Sequence, residues 1–266
     1  MHCIIKKWYD KLGFAEEYGD LISYLLMSAD EYSLADVTYE KMREIKNPHL
    51  NLAYFLLQCE DTEKKYIENN IPLDIMYNTL SDLKLWADRY RDYSGEKIGF
   101  EETGWLNRHT DFQLFKLGRL QFAFGKAECT DEEYGIEKGE NIIEVHIPSG
   151  GKLDEISCEK SFAEAGEFFK KYFPEYNYRF YTCHSWLLDD NLRQVADENS
   201  NILKFRELFS VINIHDSNAA IKYIYRWNIK EEEIKTFECK NSFQENMKKY
   251  LNSGGKLCEA YGIIKI

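Results

Sequence analysis

A chain of 266 residues, 44% hydrophobic and 15% aromatic, can bury a sizeable core, which excludes an intrinsically disordered protein. Its 34 basic and 46 acidic residues give a net charge of −12, which argues against a nucleic-acid phosphate-backbone binder. No run of 18 apolar residues occurs, so no membrane span is expected. The start, Met1-His-Cys-Ile-Ile-Lys, lacks the charged-then-apolar plan of a signal peptide. Cys3, Cys59, Cys129, Cys158, Cys183, Cys239 and Cys258 are scattered and odd in number, without a CxxC pair. That usage suits a reducing compartment and offers no zinc framework, so a cytoplasmic protein is expected.

Residues 1–93 read as helical. Tyr18, Leu21, Ile22, Leu25 and Leu26 recur at helical spacing. Ser33 reads as an N-cap, and Asn47-Pro48 interrupts the chain before an apolar helix over residues 50–59. A further helix starts near Pro72 and carries Ile75, Met76, Leu80 and Leu83. Between residues 94 and 111 the periodicity breaks around Gly95, Gly99 and Gly104, which places a domain boundary there. The expected domains are 1–109, helical, and 110–266.

The second domain begins with a predicted strand over residues 112–124, apolar on both faces. An acidic loop, 125–139, leads to a second strand over 141–147. Pro148-Ser-Gly-Gly-Lys152 is a turn, and residues 154–173 form an amphipathic helix that Pro174 stops. Residues 179–188 are extended, 190–209 mostly helical, and 210–215 extended again. Short helices are expected over 218–225, 230–236 and 242–251. Gly254-Gly255 then turns into a closing strand to Ile266. Strands alternating with helices of this length predict an α/β (α+β) domain whose sheet has parallel pairs. Ligands in such sheets bind beyond the carboxyl ends of strands. Gly150, Gly151, Cys183, His184 and Ser185 lie near that edge.

The residues themselves leave several readings open. A turn rich in backbone amides before a helix can hold phosphate, and Lys152 can add charge. Asp154 and Glu155 at the helix start oppose this. His146, inside a strand, is a structural histidine or a base. Cys183 and His184 are adjacent on a strand and point to opposite faces, so they do not form a nucleophile–base pair. Arg119 on an apolar strand needs a partner if buried. The six histidines are dispersed, and no metal-ligand cluster stands out.

Several stretches together resemble a known family. They are Leu117-Gly-Arg-Leu-Gln-Phe122, Val145-His-Ile-Pro148, Ser161-Phe-Ala-Glu-Ala-Gly-Glu-Phe-Phe169 and Cys183-His-Ser-Trp-Leu-Leu188. Ser200-Asn-Ile-Leu-Lys-Phe205 and the closing Gly254-Gly and Gly262-Ile-Ile complete the set. The family is a bacterial one of acyltransferase-domain proteins. It pairs a helical N-terminal domain with a C-terminal domain similar to the GNAT acyl-CoA N-acyltransferases.

The resemblance implies a mixed sheet whose two central parallel strands splay apart. Val145, His146 and Ile147 would pair with pantetheine. Pro148, Ser149, Gly150, Gly151 and Lys152 would form the pyrophosphate turn. That turn departs from the Arg/Gln-x-x-Gly-x-Gly/Ala pattern by lacking the leading Arg or Gln. The implied activity is acyl transfer, with acetyl-CoA or another acyl-CoA as co-substrate and a small or peptide-like amine as acceptor. His146 and His184 would be base candidates, and Ser185 a donor to the departing thiolate. A non-catalytic ligand-binding module on the same fold is the alternative. No metal and no nucleic-acid or membrane partner is expected.

Overall fold

The computed structural model describes residues 1–95 and 97–266, and these divide into two compact units, Met1–Lys116 and Leu117–Ile266. The first unit is helical. Its described helices are α1 (His2–Lys11), α2 (Phe14–Tyr18), α3 (Ile22–Glu31), α4 (Tyr39–Ile45), α5 (Pro48–Glu68), α6 (Leu73–Leu80), α7 (Asp82–Ser94) and α8 (Thr103–Thr110).

Helix α5 is the centre of this unit. Asn47 caps it, its side-chain oxygen accepting from the amides of His49 at 2.9 Å and Leu50 at 3.1 Å, and Pro48 sits in the first turn. The helix is longer than the apolar run alone predicts, because Tyr66 remains fully buried past Cys59. Helix α1 lies against α5 through Trp8, whose indole N–H donates to Glu60 at 3.0 Å. Lys7 and Lys11 bond Glu63 beside it, at 2.9 and 2.8 Å. Ser33 does not act as a cap. It takes a left-handed φ of 51°, and Thr38 caps α4 instead, accepting from the Lys41 amide. The stretch expected to be irregular contains α8, which buries Leu106 and His109.

The second unit carries five strands of the sheet, in the order β2-β3-β4-β6-β5, and β1 closes the first unit. The strands are β1 (Leu114–Leu117), β2 (Leu120–Lys126), β3 (Asn141–His146), β4 (Phe180–Ser185), β5 (Ser210–Asp216) and β6 (Cys258–Lys265). The described helices here are α9 (Glu155–Tyr172), α10 (Asn201–Glu207), α11 (Ala219–Ile224), α12 (Glu231–Ile234) and α13 (Ser242–Asn252). β3 and β4 run parallel, while β2–β3, β4–β6 and β5–β6 are antiparallel. The mixed sheet and helical N-terminal unit agree with the α/β (α+β) expectation.

One strand predicted over 112–124 is two. Gly118 and Arg119 turn the chain between β1 and β2, and Gly118 adopts φ +63°. A side chain at 118 would place its Cβ 2.7 Å from Ser161 Oγ, so only glycine fits the turn. Both apolar sets of the predicted strand do find cover. Phe122 and Phe124 pack on α9 through Phe162 and Phe169, with ring centroids 5.6 and 5.5 Å apart. The opposite sheet face buries Ile142, Phe180 and Ile263 under Ala127 and Ile136 of the acidic loop. No described helix is long and apolar enough to cross a membrane.

On β6, Gly262 lies where a Cβ would meet Leu188 Cδ1 at 2.7 Å and Phe209 Cβ at 2.9 Å. Overpacking at such a contact costs about 1–3 kcal/mol. Gly262→Ala is expected to lower stability by that amount in a urea titration. An unchanged midpoint would show that this face of β6 is less tightly covered.

Candidate active site

The site begins with an interruption of the sheet. β3 and β4 each have six residues, but their ladder holds only Ile143 with Tyr181 and Glu144 with Thr182. Beyond that point each strand stays paired on its outer side. Val145 and His146 face Phe122 and Gln121 of β2, while Cys183, His184 and Ser185 face Gly262, Tyr261 and Ala260 of β6. The two strands therefore part at their carboxyl ends.

Pleat geometry assigns the side chains around this split. Residues two apart on a strand share a face. Glu144 and Thr182 are register partners, so His146 and His184, each two residues further, stand on their common face on either side of the split. Each histidine has a carboxylate beside it. His146 Nε2 lies 3.1 Å from Glu144 Oε2, and His184 Nδ1 lies 3.2 Å from Glu128 Oε1. His146 is half-buried and His184 exposed.

Cys183 and Ser185 occupy the other face, toward α9. Cys183 is 1% exposed, and burial pushes its thiol far above the usual range, so it is no nucleophile. Cys183→Ala is accordingly expected to change turnover by less than about tenfold, below the 10²–10⁴ of a catalytic group. A trapped acyl-cysteine in the wild-type protein would overturn that. Ser185 Oγ accepts from the Leu187 amide at 3.1 Å and so caps the turn that follows β4.

The turn after β3 is held from below. Gly150 and Gly151 both take left-handed φ values, 83° and 70°. Arg119 spans the turn, its Nε donating to the Lys152 carbonyl and an Nη to the Pro148 carbonyl, each at 3.0 Å. Burial lowers the pKa of this guanidinium, with Cys158 and Asp154 opposing, and arginine keeps its charge regardless. With those two carbonyls turned toward Arg119, none of the described residues accepts from the amides of Gly150, Gly151 or Lys152. Ser149, Gly150, Gly151 and Lys152 are exposed, Ile147 half-buried, and Val145 and Pro148 buried.

Arg119 is itself positioned by α9. The fully buried Ser161 hydroxyl accepts from the Arg119 amide at 2.7 Å and the Leu120 amide at 3.3 Å, and donates to the Ser157 carbonyl at 2.8 Å. Removing an acceptor shared by two buried donors costs about 1–3 kcal/mol. Ser161→Ala is expected to lose that much in thermal unfolding, and a neutral result would remove the anchor. Asp154 caps α9 by accepting from the Ser157 amide at 3.0 Å, the contact that mainly holds its carboxyl below the usual range.

Sequence reading anticipated the strand and the turn, and the structure places His146 on β3 and His184 on β4. Sequence reading missed what the partners do. Arg119 was visible as a cation needing a partner, but not as the brace of the turn. Glu144, two residues from His146 on one strand, was a readable signal through the period of the strand. Glu128, 56 residues from His184, was not.

The sequence matches the description "N-acyltransferase N-terminal domain" over residues 13–112 and "GNAT-like C-terminal domain" over residues 114–264. The chain belongs to the family defined by the GNAT-like C-terminal domain, with the N-terminal match preceding it.

Three solved structures are similar to it. An acyltransferase in complex with decanoyl-CoA is 24% identical, with TM-score 0.71, over 81% of this chain and 65% of that one. A mutant acyltransferase in complex with octanoyl-CoA is 21% identical, with TM-score 0.71, over 81% of this chain and 66% of that one. An acyltransferase in complex with decanoyl-CoA and teicoplanin is 22% identical, with TM-score 0.70, over 80% and 65%. The chain thus spans about 65–66% of the length of these acyltransferases. No curated protein matches it.

Proposed function

We propose that this protein is an acyl-CoA-dependent N-acyltransferase acting on an amine. The observation that carries the reading is the split between β3 and β4, with an arginine-braced glycine turn at its head. The amides of Gly150, Gly151 and Lys152 would receive the pyrophosphate, and Arg119 would supply the charge that the turn sequence lacks. Pantetheine would lie along Val145, His146 and Ile147. The thioester would reach the split, where the amine nitrogen attacks its carbon and the carbon–sulfur bond breaks. His146, oriented by Glu144, would take the amine proton, with His184 as the second base candidate. Ser185, whose Oγ already accepts from Leu187, would donate a hydrogen bond from its hydroxyl to the departing thiolate, which the proton taken up by the base would finally neutralise.

The donor is the finer question. Acetyl-CoA is the general expectation for this fold, but the similar acyltransferases hold octanoyl-CoA and decanoyl-CoA, so those medium chains belong in the same screen. One of them also holds teicoplanin, which supports testing bulky amine-bearing acceptors.

A non-catalytic ligand-binding module is the second reading. The Asp154 carboxylate, which caps α9 two residues after the turn, favours it, since a negative charge so near the turn opposes a phosphate. The test is a thermal-shift screen of acetyl-, octanoyl- and decanoyl-CoA, followed by mass spectrometry of candidate amines. A shift with an N-acylated product supports the transferase. A shift without any product across the amine panel supports the binding module.

A further inference from the structure

Three neighbouring strands of the second unit carry metal-ligating side chains to one face. On β6, Glu259 and Tyr261 point to the same side, being two residues apart. Their register partners point with them: His215 of β5 opposite Glu259, and His184 of β4 opposite Tyr261. His184, His215 and Glu259 each offer one ligand atom, and the three atoms lie within 4.8 Å of one another. The two imidazole rings meet edge to face with centroids 5.0 Å apart. His215 Nε2 is 3.8 Å from Glu259 Oε2.

We infer that His184, His215 and Glu259 form a binding site for a divalent transition metal, Zn²⁺ being the best fit. Two imidazoles and one carboxylate suit zinc, whereas calcium and magnesium take oxygen ligands. Zn–N bonds of about 2.0–2.1 Å put tetrahedral donors about 3.4 Å apart, so the cluster must tighten on binding. Both histidines are exposed and can rotate to do so.

Two ligands already have an orienting partner. The Glu128 carboxylate lies 3.2 Å from His184 Nδ1, which fixes the proton there and leaves Nε2 as donor. Ser217 Oγ donates to Glu259 Oε2 at 2.7 Å. Three protein ligands leave the fourth tetrahedral position open, whereas structural zinc sites are closed by four. The residues lie at 184, 215 and 259, so no sequence spacing announces them. If His184 serves as a base, bound metal would take the lone pair it uses and slow transfer; that clause rests on the function proposed above.

The test is a calorimetric titration of the tag-free full chain with Zn²⁺. One ion per chain is expected. His215→Ala and Glu259→Gln should each weaken binding by about tenfold or more, and Glu128→Gln by a similar factor through loss of orientation. The seven free cysteines are present in every variant and so cannot account for a difference between them. No Zn²⁺ binding by the wild type would overturn the site. So would equal affinity and stoichiometry in the His215→Ala/Glu259→Gln double variant. The titration uses no acyl-CoA, so its failure leaves the transferase reading untouched, and an inactive transferase leaves the metal site untouched.

Discussion

His146→Ala is expected to lower acyl-transfer turnover by roughly 10²-fold or more, the usual size of a general-base loss. The amine must be neutral when it meets the thioester, so a base within hydrogen-bond reach has to accept a proton. His146 ends β3, shares a face with Glu144, and is held by that carboxylate at 3.1 Å. Glu144→Gln keeps the shape and removes the charge, so it should also reduce turnover, by less. Affinity for acyl-CoA should stay within a few-fold in both variants, because the turn and β3 backbone remain. Steady-state kinetics beside a direct binding measurement separates the two effects. Near-normal turnover in His146→Ala would move the role to His184, which stands across the split beside Glu128.

The second large effect concerns the turn. A ligand that binds only the folded state stabilises it by about 2.7 kcal/mol at a hundred times its dissociation constant. Acyl-CoA should do this for the wild type. Gly151→Asp should abolish the shift. Position 151 has φ +70°, which L side chains rarely adopt, and its Cβ would sit 3.7 Å from Arg119 Nε. An aspartate there adds strain, draws the guanidinium off the Pro148 and Lys152 carbonyls, and adds negative charge at the turn proposed to receive the pyrophosphate. Arg119→Gln probes the same brace without backbone strain, and should weaken acyl-CoA binding while leaving kcat at saturation nearly unchanged. A full thermal shift in Gly151→Asp would show that coenzyme binds elsewhere.

Much of the fold was legible because the chain obeys local rules. Asn47-Pro48 starts α5, Asp154 and Ser200 cap α9 and α10, and β3 and β4 are rich in branched or aromatic residues. What failed was local in another way. The Gly118-Arg119 turn hides inside an uninterrupted apolar run, since β1 and β2 are both buried and neither face is polar enough to mark the break. Ser33 has the residue type of a cap but not the backbone, because it takes a left-handed conformation. In the site, the strand ends and the turn were readable. The Arg119 brace, the Ser161 anchor and the Glu128 partner were not, since they depend on contacts 29 to 56 residues away.

The parting of β3 and β4 has a consequence for association. It is a sheet edge placed in the interior of a sheet, and edges are templates for strand addition. An ordinary edge invites another chain, but here the unpaired run is short, Val145–His146 on one side and Cys183–Ser185 on the other. A peptide strand laid into so short a gap would gain few backbone bonds before meeting the Ile143–Tyr181 and Glu144–Thr182 rungs. A slender chain with only an amide or two fits that length better. So short an edge offers little to another copy of the chain.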